Sequence, residues 1–293
     1  GGGSLQTVVD MTGLFIEKGP VVQVKSFGNR KKIIFDKDPS IYWEGPMVIL
    51  LNQMSASASE ILAAALQDYN RAVVIGSSKS FGKGTVQNVI DLNRFMSNSN
   101  LDLGALKITT DKFYRVNGGS VQVEGVKSDV KIPNRFSYFP IGEDDEENPL
   151  SWDQIGPASY EKWSGYTNLS EVIKLGNENI KKSKFAGLVD ENAKWLASKQ
   201  ENKSISLNYI TYKNQKDNDK KVLDKFDLIK DYKNNFEFEF LQNSSNDVTS
   251  SKETAERRNQ WKKTLLSDFQ LNEGLKVLEN LKFKTPNKPI AAK

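Results

Sequence analysis

Apolar residues recur at helical spacing in 5–16 (LQTVVDMTGLFI), through Leu5, Val8, Val9, Leu14 and Phe15, which predicts a helix behind the opening glycines. Residues 21–26 (VVQVKS) read as a strand and 27–40 as a polar excursion. The unbroken run 47–52 (MVILLN) predicts a strand buried on both faces. A helix over 57–69 follows, with Ile61, Leu62, Ala65 and Leu66 in register. Then comes a buried strand at 72–76 (AVVIG), with further strands expected at 85–92 and 105–116. The turn signal Asn117-Gly118-Gly119 predicts a hairpin leading into a strand at 121–126. Strands interleaved with helices indicate an α/β core.

The pattern changes after residue 140. Residues 142–149 (GEDDEENP) form an acidic, proline-ended linker. Amphipathic helices are expected at 169–180, 188–200, 253–267 and 274–281, with a strand-like run at 204–212. Residues 242–251 read as a mobile loop and 284–293 as a loose tail. This divides the chain into 1–140 and 141–293.

Composition narrows the chemistry. With no Cys and no His, the chain offers no thiolate nucleophile, no Ser-His-Asp triad and none of the usual zinc ligands. An enzyme built from it must use Lys or a carboxylate as base. The net charge of +4 is spread without the dense basic stripe of a nucleic-acid binder. No apolar run approaches the roughly 20 residues that cross a bilayer. The opening Gly1-Gly2-Gly3 reads as a turn inside a larger fold, so a fragment is expected.

Two segments could carry chemistry. In Ser55-Ala56-Ser57-Ala58-Ser59-Glu60, Ser57 starts a helix, where free N–H groups and the positive dipole end favour a developing anion. The same serine with Glu60 equally fits a capping box. In Phe81-Gly82-Lys83-Gly84-Thr85-Val86-Gln87, two glycines let the backbone bring Lys83 to a fixed point, and Gln87 could orient its amine. Desolvation is the usual way to make a lysine a base. The bland alternative is an exposed loop lysine. A phosphate-loop reading of 76–84 fails, because five residues separate the glycines and Gly84 stands where the Mg²⁺-binding hydroxyl belongs. A glycine N–H of the opening triplet, paired with that of Ala58, could form an oxyanion hole.

Taken together, SASASEILAAALQDYNRAVVIG and FGKGTVQ resemble the tail-specific, or C-terminal processing, peptidases. The likeness continues through GLFI, EGPMVIL, KFYRVNGGSVQVEGVKSDVKIP, WDQI, SLNY and the helical region, covering nearly the whole chain. The resemblance implies a Clp-protease/crotonase-like serine protease core with a mixed sheet over 1–140, incomplete at its N-terminus, and a mostly helical C-terminal domain over 141–293. It implies Ser57 as nucleophile, Lys83 as general base, Gln87 as its support, and Gly3 and Ala58 as oxyanion donors, with no metal or cofactor. Asp68 matches a family position and reads as structural. The stretch 77–80 is one residue longer than is usual in the family.

The implied activity is that of a serine endopeptidase acting on proteins with exposed C-termini, in the periplasm of a Gram-negative bacterium, with an adaptor protein as a further implied partner. The family's N-terminal helical region and substrate-binding PDZ domain are missing from the matched stretch, so the fragment alone is expected to be inactive or impaired. A protease-like scaffold that binds polypeptides without cutting them is the competing reading. The tryptophans of the helical region are expected to pack rather than to form a docking surface.

Overall fold

The computed structural model describes residues 1–26, 28, 30–95, 102–239 and 252–283. Helix α1 (Leu5–Gly13) is capped by Ser4, whose side chain accepts the Thr7 N–H, and it buries Val8 and Val9. Strand β1 (Gly19–Ser26) pairs antiparallel with β2 (Lys31–Asp36). That second strand lies where the sequence suggests only a polar excursion. It is an edge strand with no fully buried residue, so its alternation is weak.

Strand β3 (Val48–Leu51) leads through a turn into α2 (Ala58–Asp68), which is followed by β4 (Val73–Gly76). Strands β5 (Thr85–Asp91) and β6 (Ala105–Tyr114) form a hairpin, and β7 (Val130–Lys131) is a short strand that the sequence does not announce. The strands form two sheets: an antiparallel one in the order β2-β1-β6-β5 and a parallel one in the order β3-β4-β7.

Expectations for β3 and for 121–126 need correction. Strand β3 is an edge strand, and Leu50 is exposed rather than buried on its face. The Asn117-Gly118-Gly119 turn does form, with the Arg115 N–H on Gly119 O. Residues 121–126 then make a second turn, not a strand, because Val123 takes a positive φ of 68°.

Beyond residue 150 the chain is mainly helical: α3 (Leu169–Lys182), α4 (Lys184–Glu201), α5 (Tyr209–Lys230), α6 (Lys252–Leu266) and α7 (Phe269–Asn280). No strand forms over 204–212: residues 204–208 are irregular and helix α5 takes up 209–212. Its apolar positions are sparse and only Phe226 is buried, so helical periodicity is hard to see in the sequence. The loop and tail expected at 242–251 and 284–293 lie outside the described residues. No helix among the described residues is long and apolar enough to cross a membrane.

Strand β4 separates two cores because successive side chains point to opposite faces. Val74 faces a cluster with Val9, Val22, Ile61 and Leu66, whereas Val73 and Ile75 face Val130, Tyr166, Val172 and Val277 of the helical side. Gln270 of α7 donates to Leu51 O and Ile75 O, fastening that side to the parallel sheet. Of the tryptophans, Trp163 packs edge-on against Tyr166 and Trp195 lies near Phe226, as packing requires. Trp152 and Trp261 are exposed.

A fully buried Arg71 joins the halves. Its guanidinium donates to the carbonyls of Phe15, Trp43 and Gly45 and to the Tyr166 hydroxyl, and lies 4.7 Å from the Trp163 ring centre. Burial pulls its pKa down, and Tyr166 partly offsets this. Replacing it by Met leaves the buried Gly45 carbonyl and the partly buried Phe15 and Trp43 carbonyls without this donor, a buried one costing about 1–3 kcal/mol. Arg71→Met should therefore lower unfolding free energy by roughly 3 kcal/mol or more in urea titrations. A loss below 0.5 kcal/mol would show that these bonds are not what holds the junction.

Candidate active site

Ser57 sits between β3 and α2, at the tip of a turn built by short polar side chains. Asn52 Oδ1 accepts the Met54 N–H at 2.9 Å, and Ser55 Oγ accepts the Asn52 N–H at 3.2 Å. Ser57 itself adopts φ 57° and ψ −115°, a region costly for a residue with a Cβ. Such strain persists only where neighbours over-determine it, and here the main determinant is Glu60.

Glu60 is fully buried, and both carboxylate oxygens are engaged. Oε2 accepts the backbone N–H of Ser57 at 2.7 Å and that of Lys83 at 2.9 Å. Oε1 accepts the Gly82 N–H at 2.7 Å and the Ser80 hydroxyl at 2.6 Å. A single carboxylate thus fixes the main chain at Ser57 and at Lys83, 26 residues apart. In the sequence Glu60 shows only as a capping-box partner. The bond to the Ser57 N–H is the part of that box it supplies, while its reach to 80–83 is tertiary and leaves no local pattern.

The Lys83 loop is packed as well as tethered. A Cβ on Gly82, at φ +94°, would lie 2.9 Å from Val123 O, and one on Gly84 would lie 2.7 Å from Gln122 N. The two glycines therefore serve close approach to the 121–125 turn. Residues 77–80, the lengthened stretch, are tied down too. Ser77 Oγ donates to Gln53 Oε1 at 2.5 Å, Ser80 Oγ accepts the Val126 N–H at 2.7 Å, and Lys79 pairs with Asp144.

Lys83 is half-buried and its Nζ lies 3.5 Å from Gln87 Oε1 at the start of β5, which brings this sequence-derived pair together. Among the described residues no hydrogen bond joins Ser57 Oγ to Lys83 Nζ. Ala58 is buried as the first residue of α2, so its N–H belongs to the helix's free N-terminal set. A Cβ built on Gly2 would sit 2.8 Å from Ser57 Cβ and 3.0 Å from Ala58 N, whereas one built on Gly3 would point into open space. Gly1 O accepts the Ser59 hydroxyl at 2.6 Å, anchoring this segment beside the Ser57 turn.

Asp68, at the far end of α2, pairs with Arg115 at 2.7 Å and accepts from Asn117 Nδ2 at 2.9 Å. It holds the 115–119 turn, the structural part that its sequence position suggests. A cavity of about 940 Å³ opens elsewhere, between the 77–79 loop, residues 131–141 and α4.

Burial raises the pKa of Glu60, and its four hydrogen-bond donors oppose that rise. Because the folded value lies above the unfolded one, this group's contribution to stability is fully present below the ordinary glutamate range. It is lost as pH rises through the folded value. Glu60→Gln swaps an acceptor for a donor facing other donors and should cost about 2–4 kcal/mol. The gap to wild type should narrow between pH 4 and pH 7 in urea titrations. A gap that widens over that range would contradict the sign of the shift.

Comparison with known proteins identifies the family of the chain. Residues 1–132 match the model for Peptidase family S41, and residues 136–282 match that for the C-terminal domain of tail specific protease. The chain is 40% identical over 224 residues to the tail-specific protease of Haemophilus influenzae, covering 75% of this chain and 32% of that protein. It is 36% identical over 145 residues to the carboxy-terminal-processing protease of Bartonella bacilliformis, covering 48% and 31%. Among solved structures, the photosystem II D1 C-terminal processing protease aligns at 30% identity and a TM-score of 0.40, over 45% of this chain and 32% of that one. The chain thus spans about a third of the length of the relatives it matches. With a Peptidase family S41 core followed by the companion C-terminal domain, the chain belongs to the tail-specific protease family.

Proposed function

We propose that this chain carries the Ser–Lys catalytic pair of a serine endopeptidase that processes or degrades proteins through their C-terminal tails. The observation that carries this reading is the Glu60 carboxylate, which accepts from the backbone N–H groups of both Ser57 and Lys83. A structural cap would need only the first bond. The strained Ser57 backbone and the Lys83–Gln87 contact support the same assignment.

In this mechanism the neutral Lys83 amine takes the Ser57 hydroxyl proton as Oγ attacks the scissile carbonyl. The oxyanion that forms is held by the N–H groups of Ala58 and Gly3. Lys83 then passes its proton to the leaving amine, and water hydrolyses the acyl-enzyme. Gln87 Oε1 orients the amine. The 3.5 Å separation in the free protein is of the loose kind that shortens when substrate is bound. Substrates are proteins with exposed C-termini, in keeping with the names of the relatives, and the setting is the bacterial periplasm, with an adaptor as a further partner. A non-cutting scaffold has no use for a Lys83–Gln87 pair on a loop tethered through Glu60 to Ser57.

In the full-length protein, Ser57→Ala and Lys83→Ala should each reduce cleavage of an unstructured protein by at least about 10³-fold while leaving thermal unfolding unchanged. Cleavage that survives in either variant would end the assignment, and peptide binding without hydrolysis by the wild type would favour the scaffold.

A further inference from the structure

The acidic stretch that follows residue 141 looks in the sequence like a solvated linker, yet it lies against the loop that bears Lys83. The Glu143 N–H donates to Phe81 O at 2.8 Å. Lys79, within that loop, donates to Asp144 Oδ2 at 2.5 Å and to Val123 O at 3.2 Å. Between them stands Gln122, whose side chain is fully buried. Its Oε1 accepts the Gly84 N–H at 2.8 Å, and its Nε2 donates to Glu143 Oε1 at 2.9 Å.

The Gln122 amide has one workable orientation. Gly84 N–H needs an acceptor and the Glu143 carboxylate needs a donor, so both ends select the same arrangement. Without the carboxylate, the amide is free to turn, and the Gly84 N–H loses its fixed acceptor. The Lys79–Asp144 pair is partly exposed and adds little by itself. The Gln122–Glu143 bond is charge-assisted and anchored on a buried group, so it carries more of the restraint.

We propose that Glu143 and Asp144 brace the base-bearing loop through Gln122 and Lys79, which makes Glu143 and Gln122 positioning residues for Lys83. Glu60 holds the loop from the Ser57 side, at the backbone of Lys83 and Gly82. The acidic segment holds it from the other side, at Gly84 and Phe81. The inference rests on Lys83 being the general base.

The test uses the full-length protein and a chromogenic peptide. Glu143→Ala should lower kcat about 5-fold with KM changed by less than about twofold, the size expected for losing one positioning hydrogen bond. Glu143→Gln, which keeps the acceptor oxygen, should restore kcat to within about twofold. A second readout is independent of activity. In a Ser57→Ala background, hydrogen exchange at the Gly84 amide should speed up about tenfold on adding Glu143→Ala, but not on adding Glu143→Gln. An active enzyme in which Glu143→Ala alters neither kcat nor exchange would overturn the brace. Faster exchange with unchanged kcat would reduce it to packing and overturn the positioning role. If the wild type cleaves nothing while exchange responds as described, the brace stands and the protease reading falls.

Discussion

The site depends on one buried carboxylate. Glu60 faces four donors from two segments that meet only in the folded state, and each of its oxygens serves two of them. Removing a carboxylate from water is expensive, and only a full set of donors offsets that cost. The consequence is geometric. The serine turn and the lysine loop cannot move apart without leaving buried N–H donors and Glu60 oxygens unpaired, so this one side chain fixes their relative position. The strained backbone at Ser57 is held by the same constraint, since its N–H is one of the four donors.

Around this centre, the N-terminal half and the helical half are not separate bodies joined by a free tether. Arg71 stitches the loops of one half to Tyr166 and Trp163 of the other. Gln270 reaches from α7 to the carbonyls at the ends of β3 and β4. The acidic segment 142–145 leans on the lysine loop. The helical domain therefore adds support to the machinery as well as bulk.

Much of this was legible in the sequence, for physical reasons. The buried strand at 72–76 and the helix at 57–69 announce themselves by apolar runs and helical spacing. The absence of Cys and His leaves lysine or carboxylate chemistry, and the glycines around Lys83 mark a close backbone approach. What escaped depends on tertiary partners. Strand β2 is an edge strand and β7 is only two residues long, so neither generates a clear alternation. Residues 121–126 have strand-like valines but turn at Val123 to receive the Lys83 loop. Helix α5 is almost wholly exposed, and the reach of Glu60 to residues 80–83 has no short-range signature.

The central claim is that Ser57 becomes covalently acylated because Lys83 takes its proton. Rapid acid quench of the full-length protein with a chromogenic peptide ester, followed by tandem mass spectrometry, tests it directly. The expected result is a single acyl adduct on the peptide containing Ser57, absent when Lys83 is replaced by Ala. An adduct on another residue, or equal acylation of Ser57 without Lys83, would contradict the account.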